Sequence, residues 1–213
     1  MIKSKTMFEE ESVWIKNKIS EILIKDSKEI NTVLDVGSST LKFRTLMQPC
    51  IDENIFKPLR AKRKEIYYLD IKKDEGVNIV CDINDINTIS KKFDLVICAN
   101  LLEHVRDVEK ITNNLKLLVN KGGYLLVTVP HLYFYHPDPI DTMYRPDNKS
   151  LEKLFRFQVI SSEIIKINKF YFLKRLYCLG KIIINPLLAR KYLPYLFKKF
   201  EISCVLLKNN KST

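Results

Sequence analysis

The pattern of hydrophobic and polar positions is clearest between residues 93 and 130. Apolar runs at residues 93–98 and 124–129 predict two buried strands. Between them, apolar residues recur three, four and three positions apart, as on one face of a helix: Val108, Ile111, Leu115 and Leu118. Gly122 and Gly123 follow, and they predict the end of that helix. The stretch is therefore a strand–helix–strand crossover, the unit from which parallel α/β sheets are built.

The rest of the chain continues this pattern on both sides of the crossover. Residues 7–27 predict an amphipathic helix, and Ser150 caps a short predicted helix at residues 151–155. Further strands are predicted at residues 32–36, 66–70, 77–81, 157–167 and 201–207. Residues 169–200 have an irregular helical pattern. Five strand-like segments separated by helices or loops, followed by two late strands, predict a doubly wound α/β sheet.

Size and composition favour a single domain in a reducing compartment. The chain has 213 residues, of which 46% are hydrophobic, enough for a substantial core. Cys81 and Cys98 lie in apolar strand patterns, and no Cys-x-x-Cys pair occurs, so we expect buried thiols in a reducing cytosol rather than a disulfide or a zinc site. Residues 1–6 contain no signal-peptide stretch, and no run approaches the roughly 18 apolar residues of a membrane span. We therefore expect a cytoplasmic protein.

Acidic residues stand at the ends of three successive predicted strands. Asp35 lies near the end of the first, before Gly37, while Asp70 ends the second and Asp82 follows the third. Open α/β sheets bind ligands at the carboxyl ends of their strands. A glycine turn lets the backbone approach a ligand, and a carboxylate can accept hydrogen bonds from both hydroxyls of a ribose. Each aspartate alone is commonly a cap or turn residue, but the three in this order favour a nucleoside-cofactor site.

With these motifs the sequence resembles the class I S-adenosylmethionine (SAM)-dependent methyltransferases. The likeness covers roughly residues 30–160. It rests on residues 32–39 as the first motif, on Asp70 and Asp82, on FDLVICANLLEHV as the fourth motif and on GGYLLVTVP as the next strand. The resemblance implies a Rossmann-like, mostly parallel seven-stranded sheet with an antiparallel last strand, and SAM as cofactor. Its single domain would contain an N-terminal helical segment (1–31), a cofactor-binding core (32–168) and a basic aromatic insertion (169–200).

The resemblance also assigns ten residues to the cofactor site. They are Asp35, Gly37, Ser39, Asp70, Ile71, Asp82, Ile83, Asn100, Leu101 and His104. Asp70 is then the ribose-binding acid, Asp82 the acid near the adenine amine, and Ile83 an aliphatic face against the ring. His104 lines the methionine side, and the alternative is a hydrogen-bonding residue at a helix start.

The chain departs from the family pattern in two ways. Ser39 and Leu41 stand where the family turn has its second and third glycines. Asp70 lies 35 residues after Asp35, whereas a simple nucleotide-binding unit has roughly 20. We expect the extra length, residues 44–63, to form a loop or helix beside the cofactor or the acceptor. A dehydrogenase is less favoured, because the Gly-x-Gly-x-x-Gly turn that binds a dinucleotide pyrophosphate is missing.

Candidate catalytic residues follow the second strand of the crossover. We predict that His131 or His136 is a general base and that Asp141 and Arg145 shape the acceptor pocket. A hydroxyl acceptor is a poor nucleophile near neutral pH, so a base would assist methyl transfer. The alternative interpretation is a proline-rich surface loop in which Asp141 and Arg145 form a structural ion pair.

Basic residues are concentrated at the end of the chain. The net charge is +11, and residues 151–213 contain 13 Lys and Arg against 3 Asp and Glu. Residues 169–200 hold eight basic and eight Phe or Tyr residues and no acid. Three interpretations stay open: a helical subdomain over the core, peripheral contact with the anionic inner face of a membrane, and, less favoured, nucleic-acid binding.

These observations together predict a SAM-dependent methyltransferase. Its acceptor is expected to be a small-molecule or lipid-linked glycan, because the sequence most resembles the small methyltransferases of bacterial surface-glycan biosynthesis. The alternatives are an RNA or other small-molecule methyltransferase and, in a different class, a non-catalytic binding module.

Overall fold

The computed structural model describes residues 7–26, 30–136, 140–167, 172–193, 196 and 200–210. In this part of the chain seven strands form one sheet: β1 Thr32–Val36, β2 Glu65–Asp70, β3 Ile79–Val80, β4 Phe93–Ala99, β5 Val119–Leu132, β6 Gln158–Lys166 and β7 Glu201–Lys208. The α-helices are α1 Glu9–Lys25, α2 Pro49–Ile51, α3 Lys57–Ala61, α4 Val108–Leu117, α5 Asn148–Phe155, α6 Phe172–Ile184 and α7 Ala189–Tyr192. Short π-helical turns span Phe43–Met47 and Asp52–Phe56, and 3₁₀ turns span Leu102–His104 and Pro186–Leu188.

The strands have the order β3-β2-β1-β4-β5-β7-β6. Strands β1 to β5 pair in parallel, whereas β7 pairs antiparallel with both β5 and β6. Because only β7 runs against the others, the prediction of a doubly wound, mostly parallel seven-stranded sheet with an antiparallel last strand is confirmed. The carboxyl ends of β1 to β5 lie at one edge of the sheet, which we call the carboxyl edge.

Helices cover both faces of the sheet, which is why the central strands are apolar on both sides. Neighbouring residues alternate between the two core layers: Val33 of β1 packs in the first layer and Leu34 in the second. The first layer is completed by α1, through Trp14, Ile15, Ile19, Ile22 and Leu23. The second layer contains residues of α4 and α5, including Ile111, Leu115, Leu151 and Phe155. The predicted helix at residues 7–27 is thus present as α1, and residue 27 lies outside the described residues.

The crossover differs from its prediction at two glycines. Strand β5 begins at Val119, so Gly122 and Gly123 lie within the strand instead of ending the helix. A Cβ added to Gly123 would meet the Asp94 carbonyl oxygen at 2.9 Å. The glycine therefore permits a close approach between β5 and β4, where their register shifts.

Strand β3 is shorter than the predicted strand at residues 77–81. It keeps only Ile79 and Val80. At Asn78 the pairing is irregular: the Asn78 amide donates to the Tyr68 carbonyl at 3.0 Å, and the Asn78 side-chain carbonyl accepts from the Tyr68 amide at 2.5 Å. The segment between β1 and β2 is helical, with α2, α3 and the two π-helical turns.

The predicted basic segment contains α6 and α7, while its residues 169–171, 194–195 and 197–199 lie outside the described residues. Among the described helices, none has both the length and the apolar character needed to cross a bilayer.

Candidate active site

The turn after β1 is tied to the end of β2 by its own backbone. The amides of Gly37 and Ser38 both donate to the Leu69 carbonyl, at 2.9 and 3.0 Å. Gly37 has a φ of 77°, which glycine adopts without strain. Ser39, with a φ of 54°, donates its amide to the Asp70 carboxylate at 2.8 Å. The first-motif turn and the predicted ribose-binding acid are therefore in direct contact.

A buried arginine holds this turn in place. Arg44 is 1% exposed, and its Nη1 donates to the carbonyls of Ser38 and Ser39 at 2.9 and 2.8 Å. Its Nη2 donates to the Gly76 carbonyl at 2.8 Å, and its guanidinium lies 3.8 Å from the centre of the Tyr68 ring. Arg44 thereby links the turn after β1 to the loop after β2.

Gly76 leaves the room that this arginine needs. Its φ is 80°, and an added Cβ would lie 2.7 Å from both Arg44 Nη2 and Leu41 Cβ. Leu41 in turn donates its amide to the Glu75 carbonyl at 2.8 Å. Although Ser39 and Leu41 replace family glycines, charge-assisted hydrogen bonds from Arg44 hold the turn in shape.

Asp35 is buried at the end of β1. Burial raises the pKa of its carboxyl to about 7, while the charge of Arg44 opposes this rise and that of Asp70 adds to it. Near neutral pH both the protonated and the ionised form of the Asp35 carboxyl are consequently populated. It can donate or accept a hydrogen bond at the carboxyl edge.

Asp70 and Ile71 provide the groups that a nucleoside requires. Each Asp70 carboxylate oxygen accepts one amide, from Ser39 at 2.8 Å and from Lys72 at 3.0 Å. Since each oxygen has a second lone pair, capacity remains for two ribose hydroxyls. Ile71 is 63% exposed beside this acid and offers an aliphatic face for an adenine ring. The residues present therefore fit the nucleoside part of SAM.

Asp82 and Ile83, which were predicted to lie beside the adenine, have different environments. Asp82 is exposed, and its Oδ1 accepts from the amide and the side-chain nitrogen of Asn84 at 2.8 and 2.9 Å. Ile83 is only 7% exposed and packs in the second core layer. Ile71 therefore presents more apolar surface at this edge than Ile83.

The turn after β4 faces the turn after β1. Asn100 has a φ of 51°, and its amide donates to the Thr128 carbonyl at 2.9 Å. Leu101 packs against Gly37, where an added Cβ would lie 3.1 Å from Leu101 Cδ1. Ser39 and Asn100 are thus two non-glycine residues with positive φ on facing turns, and such strain concentrates at functional sites.

A buried glutamate from α1 supports the turn after β4. Glu11 Oε1 accepts from Asn100 Nδ2 at 2.9 Å and from Thr128 Oγ1 at 2.5 Å. Burial raises the pKa of Glu11 to about 7, although these hydrogen bonds oppose the rise. Glu11 is not among the residues predicted from the sequence. Its spacing from Trp14 and Ile15, three and four residues, places it on the apolar face of the helix and was the available signal.

A second buried glutamate meets two histidines behind this turn. Glu103 is fully buried, and neither carboxylate oxygen has a hydrogen-bond partner on another described residue. Burial raises the pKa of Glu103 to about 8. The Nε2 atoms of His104 and His136 lie 3.7 and 3.9 Å from Glu103 Oε1. The sequence assigned these histidines to opposite sides of the reaction, and the fold brings their rings to 5.1 Å between centroids.

Asp141 organises the segment after β5. Its buried carboxylate accepts from Arg145 Nη2 at 2.7 Å and from the amides of His136 and Met143, both at 2.8 Å. Burial would raise the pKa of Asp141, but these hydrogen bonds lower it below the usual range. Asp141 and Arg145 therefore have the geometry of a structural ion pair. Their role in an acceptor pocket stays a prediction.

The segment after β5 is attached to the turn after β4. Thr142 donates its amide and its hydroxyl to the Glu103 carbonyl at 2.9 and 3.0 Å. The Nδ1 of His104 contacts the carbonyl of Ile140. His131 lies near the end of β5, with Nδ1 3.1 Å from the Pro146 carbonyl. The predicted cofactor and acceptor regions are thus in direct contact at the carboxyl edge.

One cavity lies at the opposite edge of the sheet. It measures about 480 Å³ and is lined by Ile30, Asp94, Lys121, Gly122, Gly123, Tyr124 and Asn210. The Asp94 carboxylate accepts hydrogen bonds from the amides of Asn31 and Thr32 at 3.0 and 2.9 Å, so its role is structural. Ligands of open α/β sheets bind at the carboxyl ends of strands, so the candidate active site is placed at that edge.

Comparison with known proteins identifies the family. Residues 10–167 match the methyltransferase domain family, whereas no curated protein matches the chain. TehB from Haemophilus influenzae is 14% identical in sequence and has a TM-score of 0.54. The match covers 91% of this chain and 62% of the TehB chain. The chain thus spans less than two thirds of TehB. The [4+2]-cyclase SpnF has 15% identity and a TM-score of 0.57, covering 95% and 82%.

A SAM-dependent methyltransferase from Archaeoglobus fulgidus has 14% identity and a TM-score of 0.54, covering 91% of this chain and 94% of its own. At these identities the solved structures show a shared fold. The family match extends from α1 to β6 and includes both turns of the carboxyl edge. It confirms the prediction of a methyltransferase with SAM as methyl donor, and the chain belongs to the methyltransferase domain family.

Proposed function

We propose that this protein transfers a methyl group from SAM to an oxygen atom of a sugar or glycan intermediate. The observation that carries the position of the reaction is the pair of hydrogen bonds from Thr142 to the Glu103 carbonyl, at 2.9 and 3.0 Å, while the acceptor class follows from the sequence resemblance. They attach the histidine-containing segment after β5 to the turn after β4. Candidate bases are thereby held beside the candidate cofactor residues.

The cofactor residues have separate tasks in this proposal. When bound, SAM supplies an electrophilic methyl group on a sulfonium. Asp70 accepts hydrogen bonds from the ribose, Ile71 covers the adenine, and Arg44 keeps the turn after β1 in shape. Positioning of this kind can supply most of the rate enhancement, because a methyl transfer needs the reacting atoms in line and in contact.

The base is one of two histidines. His136 Nδ1 lies 3.0 Å from the Phe134 carbonyl, and His131 Nδ1 lies 3.1 Å from the Pro146 carbonyl. A neutral imidazole that donates from Nδ1 keeps a lone pair on Nε2, which can take a proton from a hydroxyl. Burial lowers the pKa of His136, which keeps that ring neutral near pH 7.

The test is a methyl-transfer assay on the full chain with His131→Gln and His136→Gln. Release of S-adenosylhomocysteine is measured with nucleotide sugars, lipid-linked glycans, RNA and unrelated small hydroxyl compounds. We expect turnover with a glycan acceptor, and a loss of about 10²- to 10⁴-fold in the variant that lacks the base. Full activity in both variants would exclude the base assignment. Turnover with RNA alone would exclude the glycan.

Two alternatives remain for the same carboxyl edge. An RNA or other small-molecule methyltransferase would use the same cofactor residues with a different acceptor. A non-catalytic module would use the fold for binding, and SpnF, which is named a cyclase, shows that one fold serves different functions. Titration calorimetry with SAM separates the module from the enzymes, and salt-sensitive RNA affinity separates the two enzymes.

In this proposal the protein is cytoplasmic, and a lipid-linked acceptor would place it at the inner face of a membrane. Around the end of α6, Ile183, Ile184 and Leu187 are 70%, 83% and 90% exposed. Arg175 and Lys181 lie on the same helix. Exposed aliphatic side chains next to cations suit the interface of an anionic bilayer better than the stacked bases of a nucleic acid, which call for aromatic faces.

Vesicle flotation tests this contact. The full chain should float with anionic vesicles and not with neutral ones, and the double variant Ile183→Ser, Ile184→Ser should lose binding. Leu117→Ser is the matched control, because Leu117 is 60% exposed on α4. Equal flotation of the wild type and the double variant would reject the contact.

A further inference from the structure

We propose that Glu103, His104 and His136 form a binding site for a divalent transition-metal ion. Each residue offers one ligand atom, and these three atoms lie within 4.8 Å of one another. The two histidine Nε2 atoms are 3.7 and 3.9 Å from Glu103 Oε1, too far for hydrogen bonds. An ion bonded at about 2.0–2.2 Å to nitrogen and oxygen would fill this gap after a small closure of the side chains.

The carboxylate of Glu103 supplies an independent reason for a cation. It is fully buried, and no other described residue donates a hydrogen bond to either oxygen. A buried polar group without a partner is costly, so such groups are rare in native proteins and call for an explanation. A metal ion between Glu103 and the two imidazoles provides the missing partner.

Both histidines are oriented in the way that metal-binding histidines are. His136 Nδ1 lies 3.0 Å from the Phe134 carbonyl and 3.1 Å from Asp141 Oδ2, and His104 Nδ1 contacts the Ile140 carbonyl. Donation from Nδ1 fixes the tautomer in which Nε2 carries a lone pair. Both Nε2 atoms then carry a lone pair, and they lie 3.7 and 3.9 Å from Glu103 Oε1.

The ligand set indicates which ions fit. Two imidazoles and one carboxylate suit zinc, iron, cobalt or manganese, whereas calcium and magnesium prefer oxygen alone. The side chains of His104 and His136 are 12% and 10% exposed, so one side of the site faces solvent. An acceptor hydroxyl could complete the coordination there, and the ion would lower its pKa. This role rests on the proposed function and leaves His131 to take the proton, but metal binding itself does not depend on it.

The experiment uses the full chain without a polyhistidine tag, stripped with a chelator, and without SAM or acceptor. Co²⁺ and then Zn²⁺ are titrated by calorimetry, and Co²⁺ also by visible absorption. We expect one ion per chain, with d–d absorption and no thiolate charge-transfer band. Glu103→Gln and His136→Gln should each weaken binding by at least about 10-fold. His131→Gln is the matched control and should bind as the wild type does.

Absence of one-to-one binding would overturn the site, as would unchanged affinity in the folded Glu103→Gln and His104→Gln variants. Circular dichroism identifies the variants that fold. Methyl transfer that is unchanged after chelation would overturn the catalytic role of the ion. Saturable metal binding without methyl transfer to any acceptor would support the site and count against the proposed function.

Discussion

Replacement of Arg44 by lysine should loosen the turn after β1. Arg44 is 1% exposed and reaches three carbonyls, two in this turn and that of Gly76 in the loop after β2. A lysine keeps the positive charge and has three N–H donors on one nitrogen, but it lacks the planar fork whose Nη1 bonds the turn and whose Nη2 bonds the loop. The link between the turn and the loop would then weaken.

The magnitude follows from these contacts. A hydrogen bond to a charged group contributes about 1.5–3 kcal/mol to stability, and a buried carbonyl left without a hydrogen-bond partner lowers stability by about 1–3 kcal/mol. Since lysine retains part of the network, we expect Arg44→Lys to lower the free energy of unfolding by about 2–4 kcal/mol. Displacement of the Ser39 amide, which bonds Asp70 at 2.8 Å, should weaken SAM binding by about 10-fold or more.

The assay is urea denaturation followed by fluorescence of Trp14, the single tryptophan, together with SAM titration of the folded variant. Arg60→Lys is the matched control, because Arg60 forms an exposed ion pair with Asp52 at 2.7 Å and should contribute only about 0–1 kcal/mol. If Arg44→Lys resembles Arg60→Lys in both measurements, Arg44 does not hold the turn.

Three further predictions concern the same edge. Gly76→Ala should lower the free energy of unfolding by about 2–4 kcal/mol, because the new Cβ would meet Arg44 and Leu41. Gly122→Ala is the control: its φ of 77° is similar, but no atom lies within 4 Å of the new Cβ, so the loss should be about 1–2 kcal/mol. Equal losses in urea denaturation would count against the Gly76 contact. Ser39→Gly should change the free energy of unfolding by less than about 1 kcal/mol, and it should keep SAM affinity because the amide remains; a large loss of affinity in calorimetry would assign binding to the hydroxyl. Burial raises the pKa of Glu11 to about 7 from 4.5, so the native state holds an extra proton and the contribution of Glu11 to stability should fall as pH rises from about 5 to 7. In urea denaturation, Glu11→Gln should make the profile shallower between these pH values, while the raised pKa values of Asp35 and Glu103 keep the remaining slope, and Glu109→Gln at an exposed position is the matched control; a wild-type profile in Glu11→Gln would refute the assignment.

The fold was accessible from the sequence because its signals are local. The apolar run at residues 32–36 gave the bounds of β1, and the spacing of Val108, Ile111 and Leu115 gave α4. The prediction that Gly122 and Gly123 end the helix was wrong, although a glycine pair after a helix is a common stop signal. Here the pair instead allows two strand backbones to approach at a register shift.

The site was less accessible, because its contacts join residues distant in sequence. Nothing in the sequence distinguishes Arg44 from the exposed basic residues around it, since its partners lie on two separate loops. Glu103 is part of the recognised LEH pattern, yet its burial and its approach to His136 depend on how the segment after β5 folds back. The roles of the individual site residues therefore stay predictions that variants must test.

The most direct test is calorimetric titration of the full chain with SAM, in parallel for the wild type, Asp70→Asn and Asp74→Asn. We predict saturable one-to-one binding by the wild type. Asp70→Asn should weaken it by about 10- to 100-fold, since an amide cannot accept on both sides, and Asp74→Asn on the same loop should not weaken it. No binding of SAM at millimolar concentration, or equal affinity in all three proteins, would contradict this cofactor site.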